Sequence, residues 1–309
     1  MGNLAAFKKR GSLENLTKAL QATNNKKFAT DERFWTLSTD RAGNGHAIIR
    51  FLDTPECDGE EGLPYVQTWS HGFQGVGGWY IESSLTTIGK PDPVSEYNTK
   101  LWKTNIEANQ NKARAQKRKL SYTSNIKVIK DTANPENDGK VFLFKYGKKI
   151  FDKLEEKYHP SEEAIAAAEL EGEKLVEFVP YDLWKGANFT LRARKVDGFR
   201  NYDKSEVGPQ TPIAKTDEEI EKIWKSCYSL KAFLAPENFK SYDELKTKLE
   251  TVLQLNGSIS NKYRPEDNAS RPEVIDTPDE VASHVEVSDT QVIDDTDALS
   301  YFKGLADAE

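Results

Sequence analysis

Short segments of alternating polar and apolar residues, separated by glycine-containing turns, dominate the chain between about residues 34 and 203. The clearest segment, 189–194, alternates strictly, which predicts a strand with one buried face and with Arg192 and Arg194 on the wet face. Turns at 42–45, 75–78 and 134–139 lie between further segments and predict three hairpins. In the first, Phe34-Trp35 would pair with residues 48–51. Many short strands of this kind favour a small barrel or a sandwich.

Helical patterns interrupt and follow these strands. Residues 148–158 and 162–176 predict two helices inserted into the sheet domain. Two later helices are predicted by capping boxes, in which a hydroxyl residue precedes a glutamate by three positions: Thr216 with Glu219, and Ser241 with Glu244. We therefore expect a mainly β fold with inserted and flanking helices, of the α+β class.

The charge of the chain is unevenly distributed. Residues 265–309 hold thirteen acidic and two basic residues, a net charge of −11 within a chain of net −7, which leaves +4 for residues 1–264. A basic body with an acidic tail is typical of proteins that handle nucleic acid. We expect a flexible basic segment over 1–30, a folded core over 31–255 and a disordered tail over 256–309.

Several classes of protein are disfavoured by the remaining features. Cys57 and Cys227, the two cysteines of the chain, do not form a disulfide framework or a four-cysteine metal site. The sequence has no pattern of a secretory signal and no apolar run of bilayer length, so we expect a cytoplasmic protein without a membrane partner.

A basic run beside aromatic residues is the strongest functional signal. No acidic residue lies between Ala108 and Ile129, and this stretch contains Lys112, Arg114, Lys117, Arg118 and Lys119. Such cations displace the counterions of phosphates, and aromatic rings stack on unpaired bases, which a duplex hides. The candidate stacking residues lie in this stretch and in neighbouring segments: Trp79, Tyr80, Tyr97, Trp102, Tyr122, Phe144, Tyr146, Phe199 and Tyr202. Any one of these aromatics, taken alone, is more often a core residue.

Two other functions compete with binding of single strands. A metal-dependent nuclease needs clustered carboxylates, and Glu56, Asp58, Glu60 and Glu61 do cluster. These residues have no paired histidine or lysine motif, so a solvated acidic loop without enzymatic activity is expected. An RNA-binding translational regulator would use the same stacking and phosphate contacts.

Ordered short motifs also give the chain a resemblance to a known family. They are Ala42-Gly43-Asn44-Gly45, Ile49-Arg50-Phe51-Leu52, His71-Gly72-Phe73, Trp79-Tyr80-Ile81-Glu82, Lys117-Arg118-Lys119-Leu120-Ser121-Tyr122, Pro135-Glu136-Asn137, Gly147-Lys148-Lys149-Ile150, Gly186-Ala187-Asn188-Phe189 and Asn201-Tyr202-Asp203. With these motifs the chain resembles the T-even bacteriophage single-stranded DNA-binding (helix-destabilising) proteins, the gene thirty-two product family. The resemblance covers about residues 34–203 well and is weaker beyond.

The resemblance implies an OB-fold-like core whose cleft holds single-stranded DNA against the cations and aromatics named above. It implies cooperative, sequence-independent coating of the strand in phage replication, recombination and repair. The family's N-terminal arm binds the neighbouring protomer, and Lys8, Lys9, Arg10 and Ser12 occupy its place here, with Gly11 and Leu13 departing from the pattern. The acidic tail would recruit replication and recombination proteins.

The family also carries a structural zinc bound by one histidine and three cysteines. His71 matches the histidine, whereas Ser84, Asp92 and Ser95 stand at the cysteine positions. Serine is a poor zinc ligand, so no cofactor is expected. Packing must then hold this region together, with Trp69, Phe73, Trp79 and Ile81 as the candidate contributors.

Overall fold

The computed structural model describes residues 31–59, 61–170, 177–196 and 198–255. These residues form one antiparallel sheet with helices around it. The strands are β1 (Gly45–Phe51), β2 (Val66–Gly75), β3 (Gly78–Ser83), β4 (Lys119–Asp131), β5 (Val141–Tyr146), β6 (Ala187–Val196), β7 (Phe199–Asn201) and β8 (Glu206–Gln210). The α-helices are α1 (Pro93–Trp102), α2 (Glu107–Ala115), α3 (Lys148–Tyr158), α4 (Glu162–Leu170), α5 (Asp217–Lys225) and α6 (Tyr242–Leu253). Mainly antiparallel strands with separate helices are an α+β arrangement, as expected.

The long strand β4 organises the sheet. The strand order is β3-β2-β4-β1-β6-β7, with β5 also paired to β4 and β8 to β6. The first residues of β4 pair with β2, its middle with β5, and its last residues with β1. The two ends of β4 therefore lie beside different strands, β2 at its start and β1 at its end.

An aromatic core fills the space between the sheet and α3. Phe51 contacts the rings of Tyr146, Tyr181 and Phe189 edge-on at centroid distances of 5.3–5.9 Å. Edge-to-face contacts of this kind stabilise a core beyond the area that they bury. Beside them, the fully buried Arg50 donates from Nη2 to two backbone carbonyls at 2.8 Å, and burial lowers the pKa of its guanidinium to about 10.

A second core joins the β2–β3 hairpin to α1 and to α6. Phe73 and Tyr80 stack at 5.0 Å, and Leu245, Leu249 and Val252 of α6 cover them at helical spacing. Gly77 brings the hairpin turn against the end of α6, where its N–H donates to the carbonyl of Val252 at 2.8 Å. A Cβ at Gly77 would lie 2.2 Å from a backbone oxygen, so a larger residue cannot make this approach.

Two of the three predicted hairpins are confirmed, those of β2 with β3 and of β4 with β5. The first one is wrong, because Phe34 makes only an isolated bridge to Leu143. Strand β1 instead pairs with β4 on one edge and β6 on the other. Since both edges of β1 are occupied, no edge remains for residues 34–35.

The predicted helices α3, α5 and α6 are confirmed. Ser241 and Glu244 form a complete capping box. At Thr216 only half of the box forms: the Thr216 hydroxyl accepts from the N–H of Glu219, while the Glu219 carboxylate accepts from the N–H of Lys215. The helix predicted over 162–176 is described only as far as Leu170. No helix in the described part of the chain is long and apolar enough to cross a bilayer.

Helices α1 and α2 were not predicted, because residues 34–203 read mainly as strands. The local signal was present, since the Asp92 carboxylate accepts from the N–H groups of Val94 and Ser95, and Pro93 occupies the first helical position. The predicted basic arm with Lys8, Lys9, Arg10 and Ser12, and the predicted tail over 256–309, lie outside the described residues.

Candidate nucleic-acid interface

A cluster of exposed cations lies where α2 leads into β4. Lys112 and Arg114 occupy the last turn of α2, Lys117 and the half-buried Arg118 lie in the connection, and Lys119 is the first residue of β4. Within the described residues, no carboxylate lies at ion-pair distance from Lys112, Lys117 or Lys119. These three ammonium groups are therefore available to an external anion.

Two arginines of the cluster lie over tryptophan rings. The guanidinium carbon of Arg114 is 5.0 Å from the Trp102 ring centroid, and that of Arg118 is 4.4 Å from the Trp69 ring centroid. Cation–π contacts of this kind order the guanidinium groups without neutralising them. The predicted residues Lys112, Arg114, Trp102, Lys117, Arg118 and Lys119 are thus brought together. Trp69 was missed as an interface residue, because nothing in its sequence context distinguishes it from a core aromatic.

Strand geometry divides the basic motif between the two faces of the sheet. Leu120 lies opposite Trp69 of β2, and Lys119 lies opposite Ser70. Since successive residues of a strand point to opposite faces, Lys119 lies on the face away from Trp69, and Arg118 on the face of Trp69. The cations therefore reach both faces of the sheet at the start of β4.

Five of the predicted aromatics are core residues: Tyr80, Tyr122, Phe144, Tyr146 and Tyr202. Tyr122 stacks on Phe151 of α3 at 4.0 Å, and burial raises the pKa of its hydroxyl to about 12. Phe144 packs edge-on against Trp35, and Tyr80 belongs to the second core and is fully buried. Their ring faces contact other core side chains, which corrects the expectation that they lie open to bases.

The remaining predicted residues are distributed over other parts of the structure. Tyr97 is half-buried against the second core. Arg192 and Arg194 lie on the open face of β6 as predicted, and Phe199 of β7 is 43% exposed. The register of β1 places this second group at the far end of β4, so the structure does not join it to the cluster at α2.

Acidic neighbours partly neutralise this second group. Arg192 Nη2 lies 3.3 Å from Glu206, and Arg194 binds Asp203 through two nitrogens. The side-chain hydrogen bonds between Arg194 and Asp203 raise the pKa of Arg194 and lower the pKa of Asp203. These arginines are less available to phosphate than the lysines beside α2.

Comparison with known proteins identifies a family. A family model described as "gp32 DNA binding protein like" matches residues 43–253. The chain belongs to this gp32-like family. It is 37% identical over 257 residues to the single-stranded DNA-binding protein of Enterobacteria phage T4, covering 80% of this chain and 79% of that protein. The corresponding protein of Enterobacteria phage T2 is 36% identical over 258 residues, with the same shares covered.

The positions at which the gp32-like resemblance implied zinc ligands form a buried hydrogen-bond network in this chain. Asp92 Oδ2 accepts from the Ser84 hydroxyl at 3.0 Å and from the Leu85 N–H at 3.1 Å, and its Oδ1 accepts from Val94 and Ser95. His71 is also buried, with Nδ1 2.9 Å from the Gln116 carbonyl and Nε2 3.2 Å from Asp92 Oδ1. Burial raises the pKa of Asp92, but the His71 contact and the backbone donors outweigh it and lower that pKa to about 2.

This donor set does not fit a structural zinc site. Of the four positions only His71 and Asp92 carry strong ligands, which is two fewer than a structural zinc site needs, and Asp92 already accepts hydrogen bonds from Ser84 and Leu85. No group of three or more histidine, cysteine or carboxylate ligands occurs within the described ranges. Of the residues expected to pack this region, Phe73 is buried and Trp69 is half-buried. Trp79 and Ile81 are exposed, so that expectation is wrong for them.

The acidic loop that suggested a nuclease has a structural role at Asp58. Its carboxylate accepts from the Ser229 hydroxyl and from the N–H groups of Leu230 and Lys231, at 2.5–3.1 Å. Asp58 is therefore buried, which corrects the expectation of a solvated loop at this residue, whereas Glu56 and Glu61 are exposed as expected. A carboxylate held by three donors is poorly placed to bind a catalytic metal ion.

Proposed function

We propose that this chain binds single-stranded DNA independently of its sequence and coats it during phage DNA replication, recombination and repair. The observation that carries the proposal is the cluster beside α2, where unpaired lysines adjoin two guanidinium–indole stacks. The proteins that it matches over four-fifths of its length are named single-stranded DNA-binding proteins. The proposed role is binding without chemistry of its own.

The cluster favours single strands for a physical reason. Lysines provide affinity for phosphates of any nucleic acid, and that affinity falls with salt. Tryptophan faces add affinity only where bases are unstacked, at about 1–3 kcal/mol per base. Trp69 and Trp102 lie beside two of the cations, so charge and aromatic surface occur next to each other in this cluster.

An OB-like barrel around β4 belongs to the same proposal. The sharing of β4 among β1, β2 and β5 supports it, since a small barrel needs long strands that pair with different neighbours along their length. We propose further that the arm with Lys8, Lys9, Arg10 and Ser12 makes binding cooperative. The acidic tail would recruit replication and recombination proteins through its charge.

We also propose that the fold is independent of zinc. The Asp92 network supplies hydrogen bonds at the positions where metal–ligand bonds would hold α1 to the β2–β3 hairpin. Unfolding of the wild-type chain in urea should then be the same with and without a strong chelator. A lower midpoint in the chelator would show that a metal stabilises the fold.

The test of binding is a salt-series titration of fluorescent oligo-dT, with a duplex and an RNA strand of equal length as comparisons. We expect tight binding to oligo-dT, weak binding to the duplex and a steep loss of affinity with salt. Equal affinity for strand and duplex would refute the proposal, and preference for RNA would favour a translational regulator. Incubation with magnesium should leave both strands intact, and cleavage would indicate a nuclease.

A further inference from the structure

The sheet has an open face beside the basic cluster. Trp79 and Ile81 of β3 are 49% and 40% exposed, while Tyr80 between them is fully buried in the second core. In the hairpin register Trp79 lies opposite Gln74, and Ile81 lies opposite Gly72. These side chains therefore point away from the core, onto a surface that no part of the second core covers.

The same face continues across β2 to the start of β4. Residues paired across antiparallel strands share a face, so the register assigns its members: Gln74, Gly72, Ser70 and Thr68 of β2, Trp79, Ile81 and Ser83 of β3, and Lys119 and Ser121 of β4. No position of this set holds a carboxylate. The nearest acidic residue of β3, Glu82, points to the opposite face, where it binds Lys240 and Lys248.

The composition of this face fits a nucleic-acid strand. It combines one exposed indole, one exposed lysine and a row of hydroxyl groups, which together provide stacking, charge and hydrogen bonds to phosphate. Gly72 leaves the surface beside Ile81 flat, and a Cβ built there would meet no atom within 4 Å. A protein partner would be expected to bury a larger apolar core than Trp79 and Ile81 provide.

The distance between the two main contacts also fits. Trp79 and Lys119 are separated by two strand spacings and by the four residues from Gln74 to Ser70, or roughly 16 Å. A short stretch of extended strand covers that distance. Because Lys119 and Arg118 are adjacent and point to opposite faces, a strand bound near Arg118 can also reach Lys119.

We propose that this face, defined by Trp79, Ile81, Gly72, Ser70 and Lys119, is a second contact surface for the bound single strand. Trp79 stacks on an unpaired base, and Lys119 contacts a phosphate nearby. The proposal rests on the proposed function, since it extends the path of the same strand. It assigns a role to an exposed tryptophan that the cores do not use.

The test compares Trp79→Ala with Trp79→Phe and with the matched control Trp184→Ala. Trp184 is another exposed indole, at 53%, in the segment between α4 and β6. Each full-length variant is titrated with an oligo-dT that holds one protomer and with an abasic strand of equal length. We expect Trp79→Ala to weaken oligo-dT binding about 10-fold. Trp79→Phe should restore most of the affinity, and Trp184→Ala should match the wild type.

The abasic strand isolates stacking from charge. If Trp79 stacks on a base, Trp79→Ala and wild type should bind the abasic strand equally. Equal affinity of Trp79→Ala and Trp184→Ala for oligo-dT would overturn the inference while leaving single-strand binding intact. A loss of self-association at unchanged affinity for the strand would also overturn it, in favour of a contact between copies. Absence of oligo-dT binding by the wild type would instead refute the proposed function.

Discussion

Replacing Asp92 with asparagine tests whether the buried network holds the subdomain of α1 and the β2–β3 hairpin together. The carboxylate accepts four hydrogen bonds, from Ser84, Leu85, Val94 and Ser95. Asparagine keeps the shape of the side chain but replaces one acceptor oxygen with an NH₂ group. At least one buried donor then loses its acceptor.

The magnitude follows from the pKa of Asp92. It is lowered from an ordinary 3.8 to about 2, and each unit corresponds to about 1.4 kcal/mol, so the ionised form contributes about 2.5 kcal/mol at pH 7. An orphaned donor adds to this loss, and we expect Asp92→Asn to lower the free energy of unfolding by about 3 kcal/mol. In urea this is a shift of about 1 M or more in the midpoint.

The assay is urea unfolding of the full chain followed by tryptophan fluorescence between pH 7 and pH 2. A lowered pKa means that the contribution of Asp92 is complete above about pH 4 and is lost as the pH falls toward 2. The difference between wild type and Asp92→Asn should therefore shrink over that range. Asp40→Asn is the control, since Asp40 caps an exposed turn through the N–H of Asn44. A midpoint for Asp92→Asn equal to that of the wild type at pH 7 would refute the reasoning.

Three further outcomes are expected. Phe151→Ala removes the ring stacked on Tyr122 and should cost about 3–5 kcal/mol in urea unfolding; a cost under about 1 kcal/mol would contradict the packing of α3. Lys117→Gln should reduce the slope of log affinity for oligo-dT against log salt by about 0.7, and an unchanged slope would exclude a phosphate contact. Gly77→Ala should lower the melting temperature, because its Cβ meets the backbone of α6, whereas Gly72→Ala has open space and should not.

Local patterns predicted much of the secondary structure. The capping box at Ser241 and Glu244 begins α6, and the turn at 75–78 joins β2 to β3, as the residues indicate. These succeed because caps and tight turns depend on neighbours within a few positions. Helix α1 was missed although Asp92 and Pro93 form its start, because the surrounding residues 34–203 read mainly as strands.

The candidate interface was predicted in its charges and less well in its aromatics. The stretch from Lys112 to Lys119 holds five cations and no acidic residue, and it identified the cluster because long charged side chains are exposed almost wherever they occur. The presence of an aromatic residue does not indicate whether its side chain is exposed or buried. Tyr122 and Trp79 both occur in alternating strand segments, yet α3 covers Tyr122, whereas Trp79 lies on an uncovered face.

The sequence by itself determined the α+β class, the position of the basic cluster, the family and the replacement of three ligand positions by Ser84, Asp92 and Ser95. Only the tertiary structure decided which aromatics are open, that Asp92 joins His71 and Ser84 in one network, and that α6 closes the second core. The reason is physical. The pattern of charges and the local hydrogen bonds depend on residues a few positions apart, whereas burial depends on which distant segment packs on a given face. Strand β2 and helix α6, which together form the second core, are about 170 residues apart in the chain.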